Sequence, residues 1–480
     1  MTALVHELHG CPSPEALAAP LSREAGLVLL RSASHDGGRG RYSFLCARPL
    51  QVFRSCGARC EITSRGGTQV TFGNPWSVLG ALLARFESLE EMDLPFPLGG
   101  CFGWWGYDLK NWVEPRLPRR AARDLDLPDC WLGFYDSLVA FDHALGKAWV
   151  ISTGFLPDGS RSASRARTQL EGWIRLAAAG TQHEPRNTEH ATRPIPSLPS
   201  SLPRDAFLAA VARAQRYIRA GDIYQVNLSQ RLALDAAPPA WELFEELCAV
   251  SPAPFAAFVN DGLTQVVSSS PELFLRLSGA HAVTRPIKGT RPRAADPDAD
   301  ARLGFELQTS PKENAELVMI TDLLRNDLGR ICQFGSVTVP DLARLERFAQ
   351  VQHLVSTVEG RLRREVTHLE ALRACFPGGS ITGAPKIRAL EIIDELEPVA
   401  RGPYTGALGY VGFNRESQLS IVIRAAVCQA GKAWFHTGAG IVADSDPAAE
   451  YEETLAKAQG FLRALAVRRE THFAPAATPV

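Results

Sequence analysis

The chain has 480 residues, 45% of them apolar and 21% charged, enough to bury a large core and by length alone to make two or three domains. Lys and Arg total 51 against 52 Asp and Glu, so there is no basic excess to neutralise a phosphate backbone or an anionic lipid surface, and neither nucleic acid nor membrane is an expected partner. The start MTALVHELHGCPSPEAL lacks a basic segment followed by an apolar core, and no run of about 18 apolar residues occurs, which predicts a cytoplasmic protein.

From Leu27 to about Val150, short apolar runs such as Leu27–Leu30, Gln69–Phe72 and Ala148–Ser152 are punctuated by Gly and Pro, a pattern of strands and turns, with one helix predicted over Pro75–Leu89. Ala178–Pro203 is rich in Pro, Ser and Thr with almost no large apolar residue, and reads as a linker. Beyond it Phe207, Ala210, Val211, Ala214 and Ile218 recur at helical spacing, and Gly221-Asp222 turns the chain into a strand-like run, Ile223–Leu234. The rest alternates helices and strands, a mixed α/β pattern without any repeat of solenoid period. The expected organisation is an N-terminal segment 1–178, a linker 179–203, a main region 204–470 and a tail 471–480. The ten cysteines contain no CxxC pair, so neither a zinc site nor a disulfide framework is expected, and Cys56 and Cys60 read as reduced structural thiols.

Chemistry-bearing residues concentrate in the second half. A helix opening at Pro311-Lys312 and running to about Cys332 carries an apolar stripe of Leu317, Ile320, Leu324, Leu328 and Ile331, and at 100° per residue Glu313 and Glu316 fall inside or beside it. Inward carboxylates need a cationic partner; the alternative is a pair of glutamates complementing the helix dipole. A second helix, about Pro447–Leu465, has Tyr451, Ala458, Leu462 and Leu465 on its apolar arc, with Glu450, Glu453 and Lys457 along one edge and Glu452 and Gln459 facing away. Four carboxylates without neighbouring Cys or His are hard oxygen donors that suit Mg²⁺ rather than zinc or copper, unless both edges are only solvated ion-pair stripes. Glycine-rich turns at FPGGSITGAPK (Phe376–Lys386) and TGAGI (Thr437–Ile441) can present backbone N–H groups to an anion, though neither has Walker or dinucleotide spacing. Lys288, in PIKGTRPR, sits where a strand ends with Arg285 and Arg291 nearby; such a lysine is either an activated nucleophile or a solvated charge.

Taken in order, GDIYQVNLSQR, SSSPELFL, PIKGTRPR, KENAELVMITDLLRNDLGR, VQHLVSTVEG, FPGGSITGAPK, YTGALGYVGF, IVIRAAV and TGAGIVADSDPAAEYEET, with Lys457, closely resemble the chorismate-binding family of anthranilate, aminodeoxychorismate, isochorismate and salicylate synthases. The resemblance runs from Gly221 to Lys457. It implies an α/β (α+β) fold of two large, mostly antiparallel sheets packed as a sandwich with helices outside, N-terminal strands joining the sheets of the catalytic half. It implies Mg²⁺ held by Glu316 and Glu453, with Glu313 and Glu450 acting directly or through water. Chorismate is then held by Gly289, Thr290, Tyr404, Arg424, the Gly438-Ala439-Gly440 backbone and Lys457. Glu272 matches the general acid at the departing C4 hydroxyl, and His353 the histidine beside that carbon.

Two positions divide that family by reaction. Where isochorismate and salicylate synthases carry a water-activating lysine, this chain has Gln225, which disfavours water attack. Where anthranilate synthases typically carry alanine before Gly-Thr, this chain has Lys288, the residue that marks aminodeoxychorismate synthases. The implied reaction replaces the C4 hydroxyl of chorismate by ammonia through a covalent lysine intermediate, toward para-aminobenzoate and folate. No nucleophile-elbow cysteine with a matching histidine is found, so ammonia is expected from a separate glutamine amidotransferase subunit. LLRSASHDGGRGRYSF and SPAPFAAF resemble the family's tryptophan-site segments, with Ser32, Arg41, Tyr42, Pro254 and Phe255 as candidate contacts of either a working or a vestigial pocket. The competing readings are anthranilate synthase component I and a catalytically silent tryptophan-binding subunit, the latter opposed by intact Glu272, Lys288, Glu316 and Glu453.

Overall fold

Period-two and continuous apolar runs build two large sheets, and every strand pair within them is antiparallel. The computed structural model describes residues 2–10, 13–32, 40–88, 94–179, 191–192, 198–348 and 351–468. Most of the expected linker and all of the tail 471–480 lie outside the described residues.

One sheet has eleven strands. In spatial order Leu4–Leu8, Lys147–Ser152, Ser137–Asp142, Tyr42–Cys46 and Leu27–Arg31 continue into Phe255–Asn260, Gln265–Ser270, Ala425–Gln429, Lys432–Ile441, Gln225–Leu234 and Gly383–Ala384. The other has twelve. Ile287–Pro292, Val351–Arg361, His281–Arg285, Leu273–Ser278, Glu416–Ile421 and Ala407–Gly412 lead into Gly100–Trp105, Cys130–Tyr135, Gln51–Cys56, Arg59–Ser64 and Gly67–Phe72, and Thr338–Arg347 also pairs with Val351–Arg361. N-terminal strands therefore complete both sheets of the C-terminal half, as the resemblance implied.

The sheets pack face to face through Val28, Phe44, Ala140 and Ala257 of the first and Phe102, Trp104, Trp131, Tyr135 and Tyr410 of the second. Strands such as Gly100–Trp105 and Cys130–Tyr135 are buried at every position because helices cover the outer faces as well. Pro311–Gly329 lies on the twelve-stranded sheet through Ile320, Leu324 and Leu328, and Pro447–Ala466 lies on the other through Ala458, Phe461 and Ala464. Among the described residues no helix is long and apolar enough to cross a membrane. All nine described cysteines are free.

Four expectations are corrected. TGAGI, expected as a turn, is the end of the strand Lys432–Ile441, paired along its length with Gln225–Leu234. The helix predicted over Pro75–Leu89 ends at Leu83, where the chain turns so that Phe86 can enter the core. Ile331 is buried as expected but lies past the end of its helix at Gly329. The buried line of Pro447–Ala466 runs through Glu450, Thr454, Ala458, Phe461 and Ala464, rotated from the predicted arc so that Leu462 and Leu465 are only partly covered. That rotation buries Glu450 and leaves Glu453 at the margin.

Candidate active site

The centre is built at the edge of the twelve-stranded sheet. Ile287–Pro292 pairs with Val351–Arg361, setting Lys288 opposite Leu354 and Thr290 opposite His353, with a register shift between Lys288 and Thr290. Gly289, at that irregularity, has φ +67°, and a Cβ there would come within 2.6 Å of Leu307 Cδ1 and 3.0 Å of Glu313 Oε2. Glycine is thus required for the backbone and for the close approach of the helix Pro311–Gly329. Lys288 Nζ lies 3.6 Å from Glu316 Oε2, and Arg291 Nη1 lies 3.7 Å from Glu313 Oε1. These are the cations that inward-facing glutamates need. Burial, followed by the charge of Glu316, pushes the Glu313 carboxyl above its ordinary value despite Arg291.

The other carboxylates approach from the helix Pro447–Ala466. Glu450 is 4% exposed, accepts a 2.6 Å hydrogen bond from Ser445 Oγ, and is 3.9 Å from Lys312 Nζ of the first helix. Glu453, with its side chain 46% exposed, is 2.6 Å from Lys457 Nζ. Lys457 also donates to Gly438 O at 3.0 Å. Desolvation pushes the Glu453 carboxyl up, but Lys457, Lys312 and Lys288 outweigh it and leave the group below its ordinary value. Carboxylates of the two helices share the fields of the same lysines, Lys312 acting on Glu313, Glu450 and Glu453.

Among the described residues, no three His, Cys, Asp or Glu side chains converge closely enough to hold a metal as they stand. The donor chemistry nonetheless fits Mg²⁺, which takes oxygen ligands only, retains waters and is usually bound through one or two carboxylates together with a substrate anion. Zn²⁺ would want nitrogen or sulfur, which this face lacks.

Glu272 precedes the strand Leu273–Ser278 and is 6% exposed. Burial pushes its carboxyl up to about 7 against a hydrogen bond from Ser380 and the charge of Lys288. His353 is 2% exposed; its Nδ1 donates to Gly289 O at 3.2 Å with Thr290 Oγ1 at 2.9 Å, which fixes the tautomer that leaves Nε2 bare. Burial, then Arg424, holds this histidine down at about 4, so the ring is neutral near pH 7. Arg424 has φ +49°, and burial alone lowers its guanidinium from the ordinary value. No carboxylate ion-pairs with it among the described residues, although burying an unpaired cation is costly.

Tyr404 stacks on His436 with ring centroids 4.9 Å apart. Gly440 and Gly438 lie opposite Asn227 and Ser229 in the strand pair Lys432–Ile441 with Gln225–Leu234. A Cβ on Gly440 would come within 2.4 Å of Gln225 Nε2, and Gln225 is fully buried with neither amide atom hydrogen-bonded within the protein. Sequence reasoning missed Arg401, whose buried guanidinium grips Glu397 at 2.7 and 2.8 Å and donates to Asn227 O at 2.9 Å and Ile381 O at 3.3 Å. It ties the Tyr404 segment to the Gln225 strand.

Beside the start of the strand Ile287–Pro292 is a cavity of about 340 Å³ lined by Arg41, Tyr42, Pro254 and Phe255 together with Arg285, Ile287 and Phe348. Ser32 lines a smaller adjoining hollow with Tyr42, Pro254 and Phe255. The five residues picked from the sequence thus surround one region. Arg41 is held by Asp142 at 2.6 Å and lies 5.0 Å above the Tyr42 ring.

Fold and site together define a chorismate-utilising enzyme, and residues 38–463 match the family model for chorismate binding enzymes. The chain belongs to that family. It is 41% identical over 91% of its length to anthranilate synthase component 1 of Synechocystis sp., covering 90% of that protein. It is 39% identical over 93% of its length to aminodeoxychorismate synthase component 1 of Salmonella typhimurium, covering 94% of it. Among solved structures it is similar to anthranilate synthase component I from Streptococcus pneumoniae, with TM-score 0.76 and 30% identity over 88% of this chain and 92% of that one.

Proposed function

We propose that the chain is the synthase component of a cytoplasmic aminodeoxychorismate synthase, converting chorismate and ammonia to 4-amino-4-deoxychorismate and water, with ammonia delivered by a separate glutamine amidotransferase subunit. The observation that carries this reading is Lys288, the residue at the branch-defining position, with Nζ 3.6 Å from Glu316 and its charge felt at Glu272. Arg424, Tyr404, Thr290 and Lys457 bind and orient the substrate. Lys288 first gives up its proton to water, and the resulting free amine forms a bond to C2 as the C4–O bond breaks, while Glu272 gives its proton to the departing hydroxyl, which leaves as water. Ammonia then bonds to C4, the C2–N bond breaks, and Lys288 is released, so that hydroxyl is exchanged for amine and the enolpyruvyl group is kept. Glu316 and Glu453, with Glu313 and Glu450 directly or through water, would hold Mg²⁺, which when bound supplies positive charge for the substrate carboxylate. Neutral His353, beside the reacting carbon, adds no competing charge.

Product identification by mass spectrometry after incubation with chorismate, Mg²⁺ and an ammonium salt tests the reading: the product should carry NH₂ in place of OH and release no pyruvate. Blue-fluorescent anthranilate would instead support the second reading, anthranilate synthase component I, which the Synechocystis similarity favours. Because Glu272 acts in its protonated form and its carboxyl sits at about 7, kcat is expected to fall as pH rises through that value. A rate flat from pH 6 to 9 would remove Glu272 from the acid's part.

We propose further that the cavity at Tyr42 and Phe255 binds tryptophan, whose indole suits its aromatic and proline walls and whose carboxylate suits its arginines. Tryptophan at 100 times its Kd should then stabilise by about 2.7 kcal/mol, visible as a rise of several degrees in Tm. Phe255→Ala should remove the rise. An unchanged Tm of the unaltered protein at millimolar tryptophan would leave the pocket structural.

A further inference from the structure

The glycine run TGAGI is preceded by a side chain that no motif singled out. In the strand pair Lys432–Ile441 with Gln225–Leu234, Gly440 lies opposite Asn227, Gly438 opposite Ser229 and His436 opposite Arg231. Side chains alternate along a strand, so positions 436, 438 and 440 share one face. The two glycines leave that face bare, and His436 is the first side chain beside them. Its ring lies flat on Tyr404, with centroids 4.9 Å apart and planes 13° from parallel. His436 Nδ1 is buried without a hydrogen-bond partner in the protein, so what the fold holds here is the ring and not that nitrogen.

The backbone around Tyr404 is already fixed. Tyr404 N donates to Arg401 O at 3.2 Å, Thr405 Oγ1 donates to Tyr404 O at 2.6 Å, and Thr405 N donates to Val422 O at 2.7 Å. Arg401 Cζ lies 5.6 Å from the centre of the Tyr404 ring and 4.7 Å from that of Tyr107, and the Nζ of buried Lys110 lies 4.6 Å from the same Tyr107 ring. Cations and rings thus follow one another from Lys110 through Tyr107, Arg401 and Tyr404 to His436, where the line reaches the glycine face. What is left to set at Tyr404 is the rotation of its side chain. A hollow of about 30 Å³ is lined by Tyr404, Arg401, Trp434 and His436, so loss of the His436 ring would open room into which the tyrosine can turn. We propose that His436 is a positioning residue for the substrate: its ring, stacked on Tyr404, sets the direction of that side chain and with it the contact that Tyr404 makes with chorismate beside the glycine face. This rests on the reading of Tyr404 as a substrate-binding residue. A contact that holds substrate and transition state alike is read in KM rather than in kcat.

The test is steady-state kinetics with chorismate, Mg²⁺ and ammonium for the unaltered enzyme, His436→Ala, His436→Gln, His436→Phe, Tyr404→Phe and the double variant His436→Ala/Tyr404→Phe. Loss of the flat ring in His436→Ala or His436→Gln should raise KM for chorismate about fivefold, the worth of one aromatic pair, and change kcat less than about twofold. His436→Phe keeps a flat ring and gives up both nitrogens, and its KM should stay within about twofold of the unaltered value. Tyr404→Phe should raise KM about tenfold by deleting the hydroxyl. Adding His436→Ala to it should raise KM by less than a further factor of about two, because the contact that His436 directs is already gone. If His436→Phe is as impaired as His436→Ala, or if His436→Gln restores KM, stacking is not what matters and the inference is overturned. It is overturned equally if the two losses multiply in the double variant, since His436 would then act independently of Tyr404. If Tyr404→Phe keeps the unaltered KM, the substrate-binding reading of Tyr404 fails first and the inference falls with it.

Discussion

Lys288→Ala is expected to lower ammonia-dependent formation of aminodeoxychorismate by about 10² or more, the share that a covalent route typically supplies. The geometry refines the experiment, because Lys288 also neutralises Glu316 at 3.6 Å and its removal alone would confound lost nucleophile with an unpaired carboxylate. Lys288→Arg separates the two. It keeps a cation against Glu316, yet a guanidinium does not deprotonate near neutral pH and cannot attack C2. Both variants should therefore be equally slow while retaining a folded protein by circular dichroism. The Ala variant, with space beside C2, should also release a trace of anthranilate, detectable by its fluorescence. Turnover by Lys288→Arg within about threefold of the unaltered enzyme would exclude the covalent route, since only the ion pair would then matter.

The helix face was legible and its counter-ions were not. The period of 3.6 residues fixes where Glu313 and Glu316 point once Leu317, Ile320, Leu324 and Leu328 are known to face inward, and all four are buried. Which cations meet those carboxylates depends on the pairing of Ile287–Pro292 with Val351–Arg361, a contact between segments about sixty residues apart for which no local pattern codes. The arc of Pro447–Ala466 was read about a fifth of a turn off, because Leu462 and Leu465 outweigh Ala464 in any hydropathy count although the sheet surface admits Phe461 and the smaller Ala464 at that place. The helix Ala163–Ala179 was not predicted at all: only Ala166, Trp173 and Ala177 of it are fully buried, too sparse a signal among its arginines. Glu272, His353, Tyr404 and Arg424 came from family resemblance rather than from pattern, since each lies in or beside a strand whose neighbours are set by long-range pairing.

For the metal, charge-neutral Glu316→Gln and Glu453→Gln should each reduce chorismate turnover by about 10² or more while leaving the fold intact, because each removes one oxygen anion from the small set that Mg²⁺ would share with the substrate. Glu452→Gln, on the exposed face of the same helix, should change activity less than about threefold. The ion pairs change what stability should do. Glu316 and Glu453 each have a lysine, at 3.6 and 2.6 Å, so their neutralisation trades lost repulsion against a lost pair and should leave metal-free Tm almost unmoved. Glu313 differs. Burial and Glu316 hold its carboxyl above the ordinary value against Arg291 and Lys312, so the charged form is the disfavoured one, and at pH 8 Glu313→Gln should equal or exceed the unaltered protein in metal-free Tm. Calorimetric titration of Mg²⁺ in the presence of chorismate supplies the readout besides activity: heats should vanish in Glu316→Gln and Glu453→Gln and persist in Glu452→Gln. Equal Mg²⁺ affinity in all three would sink the assignment and return both helix edges to the part of solvated ion-pair stripes.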